Sequence, residues 1–251
     1  MYPARISIVA ILALLGPACH NAPPSAIDPA IAALVPPEAT ILAGVNLAHM
    51  RASPLRKQFP PAAAALLDSM GAAKSVLIAS DGARYLALTR GTAPAGGTAL
   101  GHGVSGSGSP DWLRIRSAGK NALVPLAGPI AAAADIWVAA AGNANLPVSG
   151  NGENLNNLLH ATRYTTLSVR LDDRVAVEAI GTCSADEAAQ HLEETVRAFV
   201  GIGAGATARQ PGLSGLLRRV RITREGRAVH VSLTVEAAEL TQVLELFGVG
   251  S

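Results

Sequence analysis

Aromatic side chains are scarce in this sequence: three Tyr, three Phe and two Trp among 251 residues. That leaves little to build stacking platforms for bases or sugar rings. Cysteine is scarcer still, with Cys19 and Cys183 alone, so no disulfide framework is available. Charged residues make up 15% and the net charge is +2. A nucleic-acid-binding domain carries a strongly basic face, so no nucleic-acid partner is expected. No apolar run reaches the roughly 20 residues that a membrane-spanning helix needs.

Motifs that carry chemistry are missing too. The six histidines (His20, His49, His102, His160, His191, His230) show no pairing at i, i+3 or i, i+4, the spacing that puts two metal ligands on one helix face. No G-x-S-x-G nucleophile turn occurs. Gly101-His102-Gly103-Val104-Ser105-Gly106 matches G-x-G-x-x-G in letters. Ser107-Gly108-Ser109-Pro110 follows it, and cannot open the helix whose N-terminus would face a pyrophosphate. Asp172-Asp173 reads as a turn. No catalytic, metal or cofactor set is expected.

What is present begins at the N-terminus. Arg5 precedes a ten-residue apolar run, Ile6 to Leu15, and Gly16-Pro17-Ala18-Cys19 closes it. A positive start, a short greasy core and small residues at a cut are the parts of a secretory signal peptide. Residues 1–18 are therefore expected to be removed, and 19–37, rich in Ala and Pro, to serve as a tether. Leu14 to Cys19 resembles the lipobox of bacterial lipoproteins, although Gly16 and Pro17 replace the usual residues. The resemblance implies a lipid on Cys19, and His20 after it implies the outer membrane in a two-membrane host. Ordinary signal-peptidase cleavage after Ala18 remains the alternative. Cys183 closes an apolar strand and is expected to be a buried structural thiol.

The body reads as α+β, with antiparallel sheets, helices on one face, and ββα units repeated in the C-terminal half. Two lobes are expected, 38–145 and 146–251, the first with a flexible Gly/Ser loop over 91–110. Strands are expected at 40–47, 75–90 (a hairpin turning at Asp81-Gly82), 112–116, 122–126 and 135–141. Helices are expected after Ser53-Pro54, up to Met70, near Pro129 and at 154–160. The last third is clearest. Leu171 opposite Val175 and Val169 opposite Val177 give the hairpin 164–183 a clean apolar face, which calls for a three-residue or bulged loop. Ser184 to Glu187 spells a capping box before a helix with Ala188, Leu192, Val196, Phe199 and Val200 on one stripe. A Gly-rich loop follows at 201–212, then a hairpin over 218–235 turning at Glu225-Gly226, and a closing helix over 236–247.

The run Val35 to Phe59, the LIASDG turn, DIWVAAAG and the closing ββα units with IGTC resemble uncharacterised exported bacterial proteins of duplicated ββα lobes. The resemblance spans most of residues 34–245 and implies a fold, since no activity is established for that group.

One surface stands out. Arg218, Arg219, Arg221, Arg224 and Arg227 crowd one hairpin. Period-two geometry puts Arg219, Arg221 and His230 opposite the core, as candidates for docking on an anionic surface; a solvated outer face is the commoner reading. The expectation is a non-catalytic cell-envelope lipoprotein that acts through protein or lipid contacts, with the membrane as partner through its N-terminal lipid. The alternatives are an exported enzyme whose site assembles from distant residues, and a carrier of an apolar ligand held between sheet and helices.

Overall fold

A computed structural model of the protein describes residues 27–91, 97–114, 120–146, 153–207, 211–237 and 239. The expected signal peptide, Cys19 and most of the tether lie outside them. The described residues form an α+β fold around one antiparallel sheet of ten strands, in the order β4-β5-β3-β2-β1-β6-β7-β8-β10-β9. The strands are β1 (Ile41–Val45), β2 (Ser75–Ser80), β3 (Tyr85–Arg90), β4 (Thr98–Gly101), β5 (Val104–Gly108), β6 (Ile136–Ala141), β7 (Tyr164–Leu171), β8 (Arg174–Thr182), β9 (Arg221–Glu225) and β10 (Ala228–Glu236). β1 lies at the centre, paired with β2 on one side and β6 on the other. β6–β7 pairing carries the sheet unbroken across the expected lobe boundary at 145/146.

Alternation along the strands divides the sheet into two faces. In the first half Leu42, Leu77, Ala79, Leu86, Leu88, Trp137 and Ala139 share one face. It is covered by α1 (Pro29–Ala32), α4 (Pro110–Leu113) and α5 (Leu123–Ala133) through Ile31, Trp112, Leu123 and Ala127. In the second half the apolar residues change sides. Val169, Leu171, Val175, Val229 and Val235 stand on the face that carries Ile41 and Val45. There α2 (Leu47–Ala52), the 3-10 turn Pro54–Gln58, α3 (Pro61–Ser69), α6 (Glu153–His160), α7 (Asp186–Ala206) and α8 (Pro211–Arg219) pack. The main cover thus changes face near the sheet centre, where α2 and α3 also pack against Val45 of β1 and Val76 of β2.

The N-terminal stretch is body rather than tether from Ile27 on. Ile31, Leu34 and Val35, at helical spacing, are 2%, 7% and 0% exposed. Asn121, buried, fastens this stretch: its Nδ2 donates to Pro36 O at 2.8 Å and Ala39 O at 2.9 Å, and its Oδ1 accepts from Leu123 N at 2.8 Å.

Several expectations are corrected. Residues 98–108, expected as loop, are the hairpin β4–β5, added to β3. Its turn uses left-handed backbone at Gly101, His102 and Gly103, so the G-x-G-x-x-G letters spell a turn and a strand. Residues 112–113 and 123–126, expected as strands, are helical, with Pro110 pre-set for a first turn. α5 begins six residues before Pro129 and carries that proline inside it. α7 continues through the glycines at 201–205, expected as loop, and its expected capping box makes no side-chain cap bond. Arg218 and Arg219 end helix α8 rather than begin a strand.

Register is as expected in β7–β8: Leu171 faces Val175, and Val169 faces Val177. In β2–β3 it is shifted by two, with Ser80 against Tyr85. Asp81 Oδ1 takes the amides of Ala83 and Arg84 at 3.0 and 2.7 Å, which closes a four-residue turn. In β9–β10 the loop is Gly226-Arg227, and Ile222 faces Val231. A shift of two leaves every side chain on its expected face. The closing helix lies largely outside the described residues.

Candidate functional site

α6 and α7 lie over the ends of β7, β8 and β10 without closing on them. The space between is a cavity of about 360 Å³, within the size range of small-ligand sites. Alternate strand residues form its floor: Thr165 on β7, Ala179 and Gly181 on β8, Val229 and Val231 on β10. Leu155, Leu158 and Leu159 of α6 and Leu192 and Val196 of α7 form the walls, with Leu146 at one side. Gly181 sets the depth there, since a Cβ would stand 2.9 Å from Leu192 Cδ2 and 3.1 Å from Thr162 Cγ2. Asn156 pins the wall segment, with Oδ1 accepting from Leu146 N at 2.8 Å.

The chemistry of the lining is one-sided. The only polar side chains among its residues are Thr162 and Thr165. Thr162 Oγ1 donates to Leu159 O at 2.8 Å, so the 3.0 Å contact between the two hydroxyls is a donation from Thr165. Neither hydroxyl proton is left for a ligand. Such a wall offers no orientation for a polar substrate and no general acid or base; it takes apolar surface out of water. Leu155, half exposed, marks the rim.

The residues singled out from the sequence lie elsewhere. Arg221 and His230 stand on the opposite, open face of the second half of the sheet, as expected from alternation. His230 Nδ1 lies 3.6 Å from Glu178 Oε1. Arg219, at the end of α8, binds Glu239 Oε2 at 2.8 Å, so the three do not form one patch of free cations. Cys183 is buried against Ala189, Leu192 and Val229, and burial pushes its thiol pKa up.

One constellation escaped the sequence. Asp135, buried just before β6, contacts His49 Nδ1 of α2 through Oδ1, and its Oδ2 accepts from Leu171 N at 2.6 Å. A carboxylate that orients an imidazole is two-thirds of a hydrolytic triad. Among the described residues no serine or cysteine hydrogen-bonds to His49, and the hydroxyl of Ser53 donates instead to Leu171 O at 2.7 Å. The pair ties α2 to the end of β7, and its separation of 86 residues hid it. Among the described residues no three potential metal ligands cluster.

No protein-family model and no curated protein matches the chain. Among solved structures, the chain is similar to TP0453 in its crystal form I, with TM-score 0.41 and 10% identity, covering 86% of this chain and 96% of that one.

Proposed function

We propose that this is a non-catalytic, exported envelope protein, anchored through a lipid on Cys19, that shelters the apolar chain of a lipid-like molecule. The anchoring rests on the short apolar run before Cys19. The observation that supports binding is the cavity under α6 and α7, which has the dimensions of a ligand site and two hydroxyls already satisfied by their neighbours. Membrane attachment would keep such a site beside its source of ligand.

The test is displacement of a fluorescent fatty acid from the folded protein by dodecanoate. Ala179 forms part of the floor, so Ala179→Phe fills the space and should weaken binding at least about tenfold, the effect of losing roughly two buried methylenes. Equal affinity in a variant that retains its fold would remove the reading. Intact mass of the protein recovered from host membranes tests the anchor separately: a chain starting at Cys19 with an added diacylglycerol is expected.

A further inference from the structure

A second cleft, of about 610 Å³, opens on the other face of the sheet, where β8 and β9 begin, β10 ends and α8 stops. Arg174, Arg218, Arg219 and Arg221 line it, with the hydroxyls of Ser232 and Thr234 between them. Arg221 stands directly opposite Ser232 across β9–β10. Arg174 stands opposite Glu236 across β8–β10. Alternation puts all four of these, and Thr234, on one side of the sheet.

Charge is the unusual part. Arg219 is matched by Glu239. The guanidiniums of Arg174, Arg218 and Arg221 make no ion pair or side-chain hydrogen bond with any described residue, although Arg174 and Arg221 pair through their main chains with Glu236 and Ser232. Two of the four arginines have an ordinary explanation: Arg218 and Arg219 sit in the last turn of α8, where cations meet the negative end of the helix dipole. Arg174 and Arg221 are strand residues and have no such reason to be there. A chain whose whole net charge is +2 has gathered four guanidiniums around one cleft with one carboxylate in its lining, Glu236; nearby, Glu239 is taken by Arg219, and Glu178, opposite Ser232, stands 3.6 Å from His230. Like charges held together repel unless an anion enters. Planar forks beside hydroxyl donors match the oxygens of a phosphate, which can accept two bonds from each fork.

We propose that this cleft binds a phosphate group, held by Arg174, Arg218 and Arg221 with Ser232 and Thr234. The site deepens and relocates the docking surface expected from Arg219, Arg221 and His230: Arg174 and Arg218 join it and His230 does not line it. It stands independently of the apolar cavity, since Val229 and Val231 point to one side of β10 while Ser232 and Thr234 flank the other cleft.

Calorimetric titration of the full mature chain with inorganic pyrophosphate, at low and at roughly physiological salt, tests the proposal. Sedimentation with phosphatidylglycerol vesicles, against phosphatidylcholine alone, forms a second arm. The double variant R174Q/R221Q should bind at least tenfold more weakly in whichever arm the parent binds. R174K/R221K should recover only part of the affinity, because an ammonium cannot fork. Arg227→Gln, at the tip of the hairpin, should behave as the parent. Pyrophosphate binding without vesicle retention identifies a soluble phosphate compound. Arginine-dependent retention without pyrophosphate binding identifies a lipid headgroup. The proposal is overturned if the parent binds in neither arm, or if R174Q/R221Q, folded by circular dichroism, binds as the parent does.

Discussion

Gly44 carries a constraint that its neighbours in β1 do not. The indole of Trp137 lies across it from β6, and a Cβ there would stand 2.2 Å from Trp137 Cε2. The ring is 5% exposed and packed in the main core, so it has nowhere to retreat. Gly44→Ala should therefore destabilise the protein by about 1–3 kcal/mol through overpacking, seen as a lower midpoint in urea. Asp81 carries a pH dependence. Burial alone would raise its carboxyl pKa, but the Arg84 and Ala83 amides and the Arg84 guanidinium outweigh burial and hold it below the ordinary value. A carboxyl depressed on folding adds stability above its unfolded pKa of about 4 and loses it as pH falls through the folded value. Asp81→Asn keeps the side-chain acceptor and removes the ionisation. The stability gap between parent and D81N should accordingly narrow in denaturant titrations taken from about pH 6 down to about pH 3.

At the scale of elements, what the sequence revealed follows from how far side-chain pattern reaches. β7–β8 could be placed residue against residue, because Leu171, Val169, Val175 and Val177 give an apolar face in only one register. β4–β5 could not. Apart from Leu100 and Val104 its residues are Gly, Ser, Ala and Thr, without alternation, and they become strands by pairing with the edge that β3 offers. The last turns of α7 were hidden by Gly201, Gly203 and Gly205, each costing about 1 kcal/mol in a helix interior relative to Ala. Contact of the helix with α8, where the site of a Cβ on Gly203 lies 3.4 Å from Leu217 Cδ1, helps hold it against that cost. Gly201 and Gly205 have open space where a Cβ would go. G201A/G205A should thus raise stability by about 1–2 kcal/mol, measured by thermal unfolding; a loss would mean this segment is not helical. The apolar cavity was illegible for another reason. Its lining runs from Leu146 to Val231, and each residue alone reads as ordinary core. The arginine cleft was half visible, as a crowd of cations on one hairpin, but Arg174 enters from a strand some 40 residues away.

For the molecule as a whole, the central position of β1 matters most. It pairs Ile41 with Ser80 on one side and with Ala140 on the other. The first pairing can form once the chain has reached β2; the second waits for a strand nearly a hundred residues downstream. Closing so long a loop is slow, and domains are synthesised from the N-terminus. A growing chain therefore carries the hydrogen-bonding edge of β1, rich in Ile, Leu and Val, uncovered through much of its synthesis. Such an edge invites other chains. Chains stalled before residue 141 has emerged should therefore aggregate more readily than the full chain, which comparing the soluble fractions of truncated and full-length products would check.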